Sequence, residues 1–163
     1  MTYQIPFSQS NSYPSQTLFL NNKNNDKINL TFLVGTDLHL GHEERHPILK
    51  NDSFDAFIEI LTIAKKRNVD FLLLGGDFFD DANPSHEVLH RSLQILKEHI
   101  FGLKKTDYMV NWDEQSPNIN ENMNISLPIF MIHGNHDYPN HDNFSTIDIM
   151  NTLKYVIITT FQE

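Results

Sequence analysis

The feature that most constrains the fold is a rhythm of three short apolar runs, each stopping abruptly at a group of carboxylate, imidazole or amide side chains. Leu30-Thr31-Phe32-Leu33-Val34 passes through Gly35-Thr36 into Asp37-Leu38-His39. Phe71-Leu72-Leu73-Leu74 passes through Gly75 into Gly76-Asp77-Phe78-Phe79-Asp80. Pro128-Ile129-Phe130-Met131-Ile132 passes through His133 into Gly134-Asn135-His136-Asp137. Runs of this length, apolar at nearly every position, predict strands that are buried on both faces. Amphipathic helices are predicted between them. Asn51, Asp52 or Ser53 caps a helix to about Arg67, with Phe54, Phe57, Ile58, Leu61 and Ala64 on one face. Lys65, Lys66 and Arg67 complement its C-terminal dipole. Pro84-Ser85 opens a second helix, with Val88, Leu89, Leu93, Leu96 and Ile100 on one side. A third spans Phe144 to Leu153, followed by Tyr155-Val156-Ile157-Ile158. The expected class is α/β: a mainly parallel sheet flanked by helices, with both sheet faces covered.

Residues 1–29 are rich in Asn, Ser and Gln without apolar periodicity and are expected to form a disordered leader. Residues 30–163 then make one domain, which is what 163 residues have room for. Within it, 102–126 is polar and Asn-rich, so it is expected to be an inserted loop. No apolar run approaches the roughly 20 residues that cross a bilayer. Nothing near the N-terminus reads as a secretory signal, and no membrane association is expected. The absence of cysteine excludes disulfides and thiolate zinc sites within this sequence. A formal net charge of −9 counts against non-specific adhesion to nucleic acid. A DNA-handling role would need bound cations to supply positive charge.

Ligands of parallel α/β sheets bind at the carboxyl ends of the strands, so the three polar clusters are expected to converge. Hydrolysis of phosphate esters uses two divalent cations about 3.5–4 Å apart. Carboxylate, imidazole and amide oxygen donors suit manganese or iron. A bridging carboxylate has to sit centrally, which points to Asp77. Glycines at 75, 76 and 134 allow the sharp turns that bring ligands inward. Each cluster has an ordinary reading as well: a polar loop pair for Asp-x-His, a turn for Gly-Asp, a hydrogen-bonded turn for Gly-Asn-His-Asp. Their combination, in this order and each at a strand end, points to a metal site. His42 and His46 face either the cleft or solvent. His86, His90 and His99 are surface or packing residues, and His141 is a solvated loop histidine.

Asp-x-His, Gly-Asp-x-x-Asp and Gly-Asn-His-Asp in sequence resemble the opening motifs of the calcineurin-like metallophosphoesterases. Asp37-Leu38-His39-Leu40-Gly41, Asn51-Asp52-Ser53-Phe54, Asp70 to Asp77, Asn83-Pro84-Ser85, Ile132 to Asp137 and Ile147-Asp148-Ile149-Met150 resemble one branch more closely. That branch is the meiotic-recombination-eleven nucleases, whose bacterial counterpart is SbcD; the resemblance runs from residue 30 to about 156. It implies an α/β sandwich and a manganese-dependent exonuclease and endonuclease acting in DNA double-strand break repair, meiosis and the nucleus. It also implies roles for single residues. Asp37 and His39 would bind the first metal ion, Asp77 would bridge, and Asn135 would bind the second. His136 would be the catalytic histidine that assists protonation of the leaving oxygen, with Asp137 orienting it. The implied partners are DNA, a second copy of the chain through the two helices, an SMC-like ATPase (Rad-fifty) and a Nijmegen-breakage adaptor at the 102–126 insertion.

The family pattern continues with a lone His and a Gly-His-x-His segment, neither of which occurs here. The sequence is therefore expected to hold the front half of the sandwich, truncated before the second sheet and the remaining imidazole ligands. One sheet face is then expected to be left as an exposed apolar patch. Two other functions fit such a sequence. One is a catalytically incomplete fragment acting as a dimerisation and assembly module. The other is a phosphatase of the same superfamily, against which the Asn51–Phe54 and Asn83–Ser85 neighbourhoods argue.

Overall fold

Four of the strands fall on the predicted apolar runs, at Phe32–Gly35, Phe71–Leu74, Ile129–Met131 and Ile157–Ile158. In the computed structural model, which describes residues 17–19, 30–102, 109–111, 125–138, 144–153 and 155–158, they alternate with three helices. In chain order the elements are β1 (Thr17–Phe19), β2 (Phe32–Gly35), α1 (Asp52–Lys66), β3 (Phe71–Leu74), α2 (His86–Ile100), β4 (Met109–Asn111), β5 (Ile129–Met131), α3 (Thr146–Thr152) and β6 (Ile157–Ile158). A 3-10 turn, Leu49–Asn51, leads directly into α1. Asp52 and Asp55 lie in the first turn of α1 and Lys65 and Lys66 in its last, matching the dipole at both ends. Ser85 caps α2 by accepting from the Val88 amide at 3.2 Å. Ser145 and Asp148 form a reciprocal capping box at the start of α3, so that helix begins two residues later than its apolar pattern suggests.

β2, β3, β5 and β6 form a four-stranded parallel sheet in that order. Phe32 is in register with Phe71, Leu72 with Ile129, and Phe130 with Ile157. The order advances in one direction across the sheet. Right-handed crossovers therefore lay successive helices on the same face. The packing agrees. Phe57 and Leu61 of α1, Leu96 and Ile100 of α2, and Ile147 and Met150 of α3 share one core cluster with Leu72, Leu74, Ile129, Met131 and Ile158. Alternate strand residues point the other way: Phe32 stacks on Phe71 at 5.1 Å, and Phe71 meets Phe130 edge-on at 5.3 Å.

This corrects the expectation of helices over both faces. Among the described residues all three helices stand on one side, because a parallel sheet gains helices on its second face only where the strand order reverses. The exposed apolar patch expected on one face is present at Phe32 and Val34, which are 51% and 56% exposed. β1 and β4 make a separate antiparallel ribbon, with Leu18 opposite Val110. They fall in the expected leader and in the expected insertion, respectively. The remainder of both segments, like His141, lies outside the described residues. Among the described residues no helix is long and apolar enough to cross a membrane.

The two sheet faces make opposite demands. Leu72 is fully buried against the helices, so Leu72→Ala is expected to cost about 2–5 kcal/mol in urea-monitored unfolding. Val34→Thr, on the open face of the neighbouring strand, is expected to change stability by less than about 1 kcal/mol. Equal losses at both positions would mean that the face holding Val34 is covered.

Candidate metal centre

Three loops leave the carboxyl ends of β2, β3 and β5 side by side, and backbone hydrogen bonds fasten the first two together. The amides of Asp37, His39 and Leu40 donate to the carbonyls of Gly76, Asp77 and Phe78 at 3.2, 2.9 and 2.8 Å. The Asp80 amide returns a bond to the Leu40 carbonyl at 3.2 Å. The third loop is joined to the second by Asp137. Its buried carboxylate accepts from the Phe78 amide at 2.6 Å, the Phe79 amide at 3.4 Å and the Gly134 amide at 2.6 Å. Gly76 and Gly134 meet back to back. A Cβ on Gly76, whose φ is +104°, would lie 2.9 Å from the Gly134 Cα. A Cβ on Gly134 would collide with the carboxylate and amide of Asp77. Glycine is required at this contact by steric exclusion as well as by conformation.

Asp37, His39 and Asp77 all occupy the left-handed region, with φ of 55°, 46° and 48°. Non-glycine residues rarely adopt it, and each instance costs about 1–3 kcal/mol unless the surroundings impose it. Here the interloop bonds impose it, and the result is that the three side chains turn toward one another. Their donor atoms all lie within 4.8 Å of one another. Asp77 is buried and central, its carboxylate accepting from the His136 amide at 2.8 Å. The Asp37 carboxylate accepts from the Thr36 hydroxyl at 2.5 Å. Two carboxylates and an imidazole on a preformed backbone fit a divalent cation of the manganese or iron type.

The third cluster divides. Asn135 and His136 line an open recess together with Asp80, Asp81 and Ala82. The His136 ring meets that of His39 edge-on, with centroids 4.8 Å apart. Its Nδ1 lies 3.0 Å from the Asp80 carbonyl, and as the donor there it leaves Nε2 turned away. Asp137 was expected to orient this ring. Its hydrogen bonds run instead to backbone amides, and the ring is held by the carbonyl of Asp80.

Two residues outside the predicted ligand set belong to this neighbourhood. Asp80 Oδ1 lies 3.1 Å from His39 Nδ1 and 3.2 Å from His42 Nδ1. Asp80 stands three residues after Asp77 in the Gly-Asp-x-x-Asp motif, so its sequence signal was visible. His42 carried none beyond its place in the loop.

The environment pushes the His136 pKa above the ordinary imidazole value. The main cause is the hydrogen bond to the Asp80 carbonyl; desolvation opposes it, and the negative charges of Asp77, Asp80 and Asp137 add to it. In the metal-free chain, proton NMR should find His136 titrating above an unperturbed histidine. The accompanying stabilisation is full below the unfolded-state pKa and lost as pH rises through the folded one. Asp137→Ala, which strips acceptors from the Phe78, Phe79 and Gly134 amides, should lower unfolding stability by about 3–5 kcal/mol. Asp137→Asn, retaining one acceptor oxygen, should lose roughly half of that. A neutral Asp137→Ala would show that the loops hold their places without it.

Comparison with known proteins agrees with this geometry. A family model described as calcineurin-like phosphoesterase matches residues 30–159. The double-strand break repair protein MRE11 of Arabidopsis thaliana is 42% identical over 137 residues, which is 78% of this chain and 19% of that protein. MRE11 of Homo sapiens is 37% identical over 142 residues, or 80% of this chain and 20% of that protein. The double-strand break repair protein mus-23 of Neurospora crassa is 37% identical over 131 residues, or 74% and 18%. The chain thus spans about a fifth of the length of these curated relatives.

Proposed function

The chain belongs to the calcineurin-like phosphoesterase family, and from that premise we propose that it carries the front part of a two-metal centre hydrolysing DNA phosphodiesters in double-strand break repair. The observation that carries this reading is the convergence of Asp37, His39 and Asp77 within 4.8 Å on left-handed backbone, with His136 beside them. Asp37 and His39 would hold one cation, Asp77 would bridge, and Asn135 would contribute to the second. Mn2+ suits these donors. When bound, the cations supply positive charge to the phosphoryl oxygens and to the charge developing there.

The protein groups have separate tasks. His136, with Nδ1 engaged by the Asp80 carbonyl, has Nε2 available to give a proton to the departing oxygen as a water oxygen bonds to phosphorus and the old P–O bond breaks. In the metal-free chain the hydrogen bond to the Asp80 carbonyl is the main cause raising its pKa, and bound cations would oppose that rise. Asp137 keeps His136 near Asp77 by fixing the loop rather than the ring. The similarity to the MRE11 proteins supports DNA as the substrate. The same reading extends to a homodimer built through α1 and α2, an SMC-like ATPase, an adaptor on the 102–126 insertion, and a role in the nucleus and in meiosis.

A second reading, an assembly module without activity of its own, is favoured by one observation. Phe32 and Val34 leave an apolar sheet face available for another surface. Calorimetric titration with Mn2+ and cleavage of linear duplex DNA separate the two. The nuclease reading expects micromolar or tighter Mn2+ binding that is lost in Asp77→Ala. It also expects His136→Ala to slow cleavage by about 10²–10⁴-fold while Mn2+ binding persists. Undetectable Mn2+ binding and cleavage in a stably folded chain would reject the nuclease reading and leave the assembly module.

A further inference from the structure

His39 belongs to two groups at once. Its potential donor atoms lie within 4.8 Å of those of Asp37 and Asp77, and equally within 4.8 Å of those of Asp80 and His136. The two ring nitrogens divide this work. Nδ1 is committed to Asp80 Oδ1 at 3.1 Å, so Nε2 is the nitrogen left for a cation. The same Asp80 oxygen takes His42 Nδ1 at 3.2 Å. Asp80 itself is held at its amide by the Leu40 carbonyl, and its own carbonyl engages His136. One residue thus touches the rings of His39, His42 and His136.

A metal-binding imidazole has to be neutral and unprotonated at the nitrogen that ligates. Which nitrogen keeps the proton is decided by the partner of the other. A carboxylate facing Nδ1 holds the proton there and raises the basicity of Nε2. Asp80 is partly exposed, at 35%, and His39 is 28% exposed, so water competes for the ring and a fixed acceptor has something to decide. His42 is 62% exposed and on the outer side; it makes the same bond to the same oxygen and steadies the carboxylate from solvent.

We propose that Asp80 is a positioning residue for the metal centre: it fixes His39 in the Nδ1–H tautomer, presenting Nε2 to the first cation, with His42 bracing the carboxylate. The inference rests on the metal-centre reading above, and its test separates the two. Long-range 1H–15N correlation spectra of the metal-free, 15N-labelled chain, in mildly alkaline solution where imidazoles are neutral, report the tautomer of each histidine. Wild type should show His39 protonated at Nδ1. Asp80→Ala should shift it toward protonation at Nε2 and weaken Mn2+ binding by about 10–100-fold. Asp80→Asn, whose amide oxygen still accepts the Nδ1 proton, should restore the tautomer and much of the affinity. That rescue distinguishes positioning from a general loosening of the loop. Zn2+, a diamagnetic probe, should leave the Nδ1 proton in place.

An unchanged His39 tautomer in Asp80→Ala would overturn the proposal. So would loss of the Nδ1 proton on adding Zn2+, which would make Asp80 and Nδ1 direct ligands. If Asp77→Ala binds Mn2+ as wild type does, the metal-centre reading fails instead, and the proposal falls with it even where the tautomer depends on Asp80.

Discussion

The centre depends on one buried carboxylate. Asp137 gathers the amides of Phe78, Phe79 and Gly134, and in doing so holds the third loop against the second at the point where Gly76 and Gly134 touch. Asp77 lies inside that junction. Its left-handed backbone would relax toward an ordinary conformation if the loops parted, and its carboxylate would then turn away from Asp37 and His39. Conformational cost at Asp37, His39 and Asp77 is thus offset by backbone bonds between the loops and by the Asp137 carboxylate. The chemistry-bearing residues and the residues that sustain their geometry are interleaved in sequence, which is why so short a chain can present them together.

Most of the architecture was legible in the residues themselves. Apolar runs marked the strands, helical stripes such as Phe54, Phe57 and Leu61 demanded a common side, and parallel polarity then forced the three polar clusters to one edge. That Asp37, His39 and Asp77 come together was readable because each follows the carboxyl end of a strand in one parallel sheet. The disposition of the helices was not readable. It depends on strand order, and composition is the same whether the order reverses or advances. The ribbon of β1 and β4 was hidden for a related reason, since three-residue strands in polar surroundings carry no period of their own.

Within the site, the misread details concern partners. The family resemblance implied that Asp137, next to His136 in the Gly-Asn-His-Asp motif, orients the imidazole. In the structure the chain turns such that neighbouring side chains diverge, and the carboxylate meets amides 58 and 59 residues away in sequence. Asp80 was visible as a motif member but not as the acceptor for His39 and His42, because those contacts depend on how closely the first two loops zip together. Hydrogen-bond partners are a property of the assembled loops, and they become legible only when the register between loops is known.

Electrostatics ties the site to its acidic setting. Asp37, Asp77, Asp80, Asp81 and Asp137 crowd one edge of a chain whose formal net charge is −9. A phosphodiester brought to that edge would meet repulsion from the protein's own groups. Arg45, Lys50 and Arg91 stand along a groove that Glu44 and Glu87 also line, where Arg91 is occupied with Asn51 at 2.7 Å and with the Phe54 ring at 4.1 Å. They offer flanking attraction but do not reverse the sign at the centre. On the function proposed above, divalent cations held among those carboxylates would supply the positive charge that a polyanion needs at this edge. Without cations, the acidity of this edge favours positive charge over polyanions.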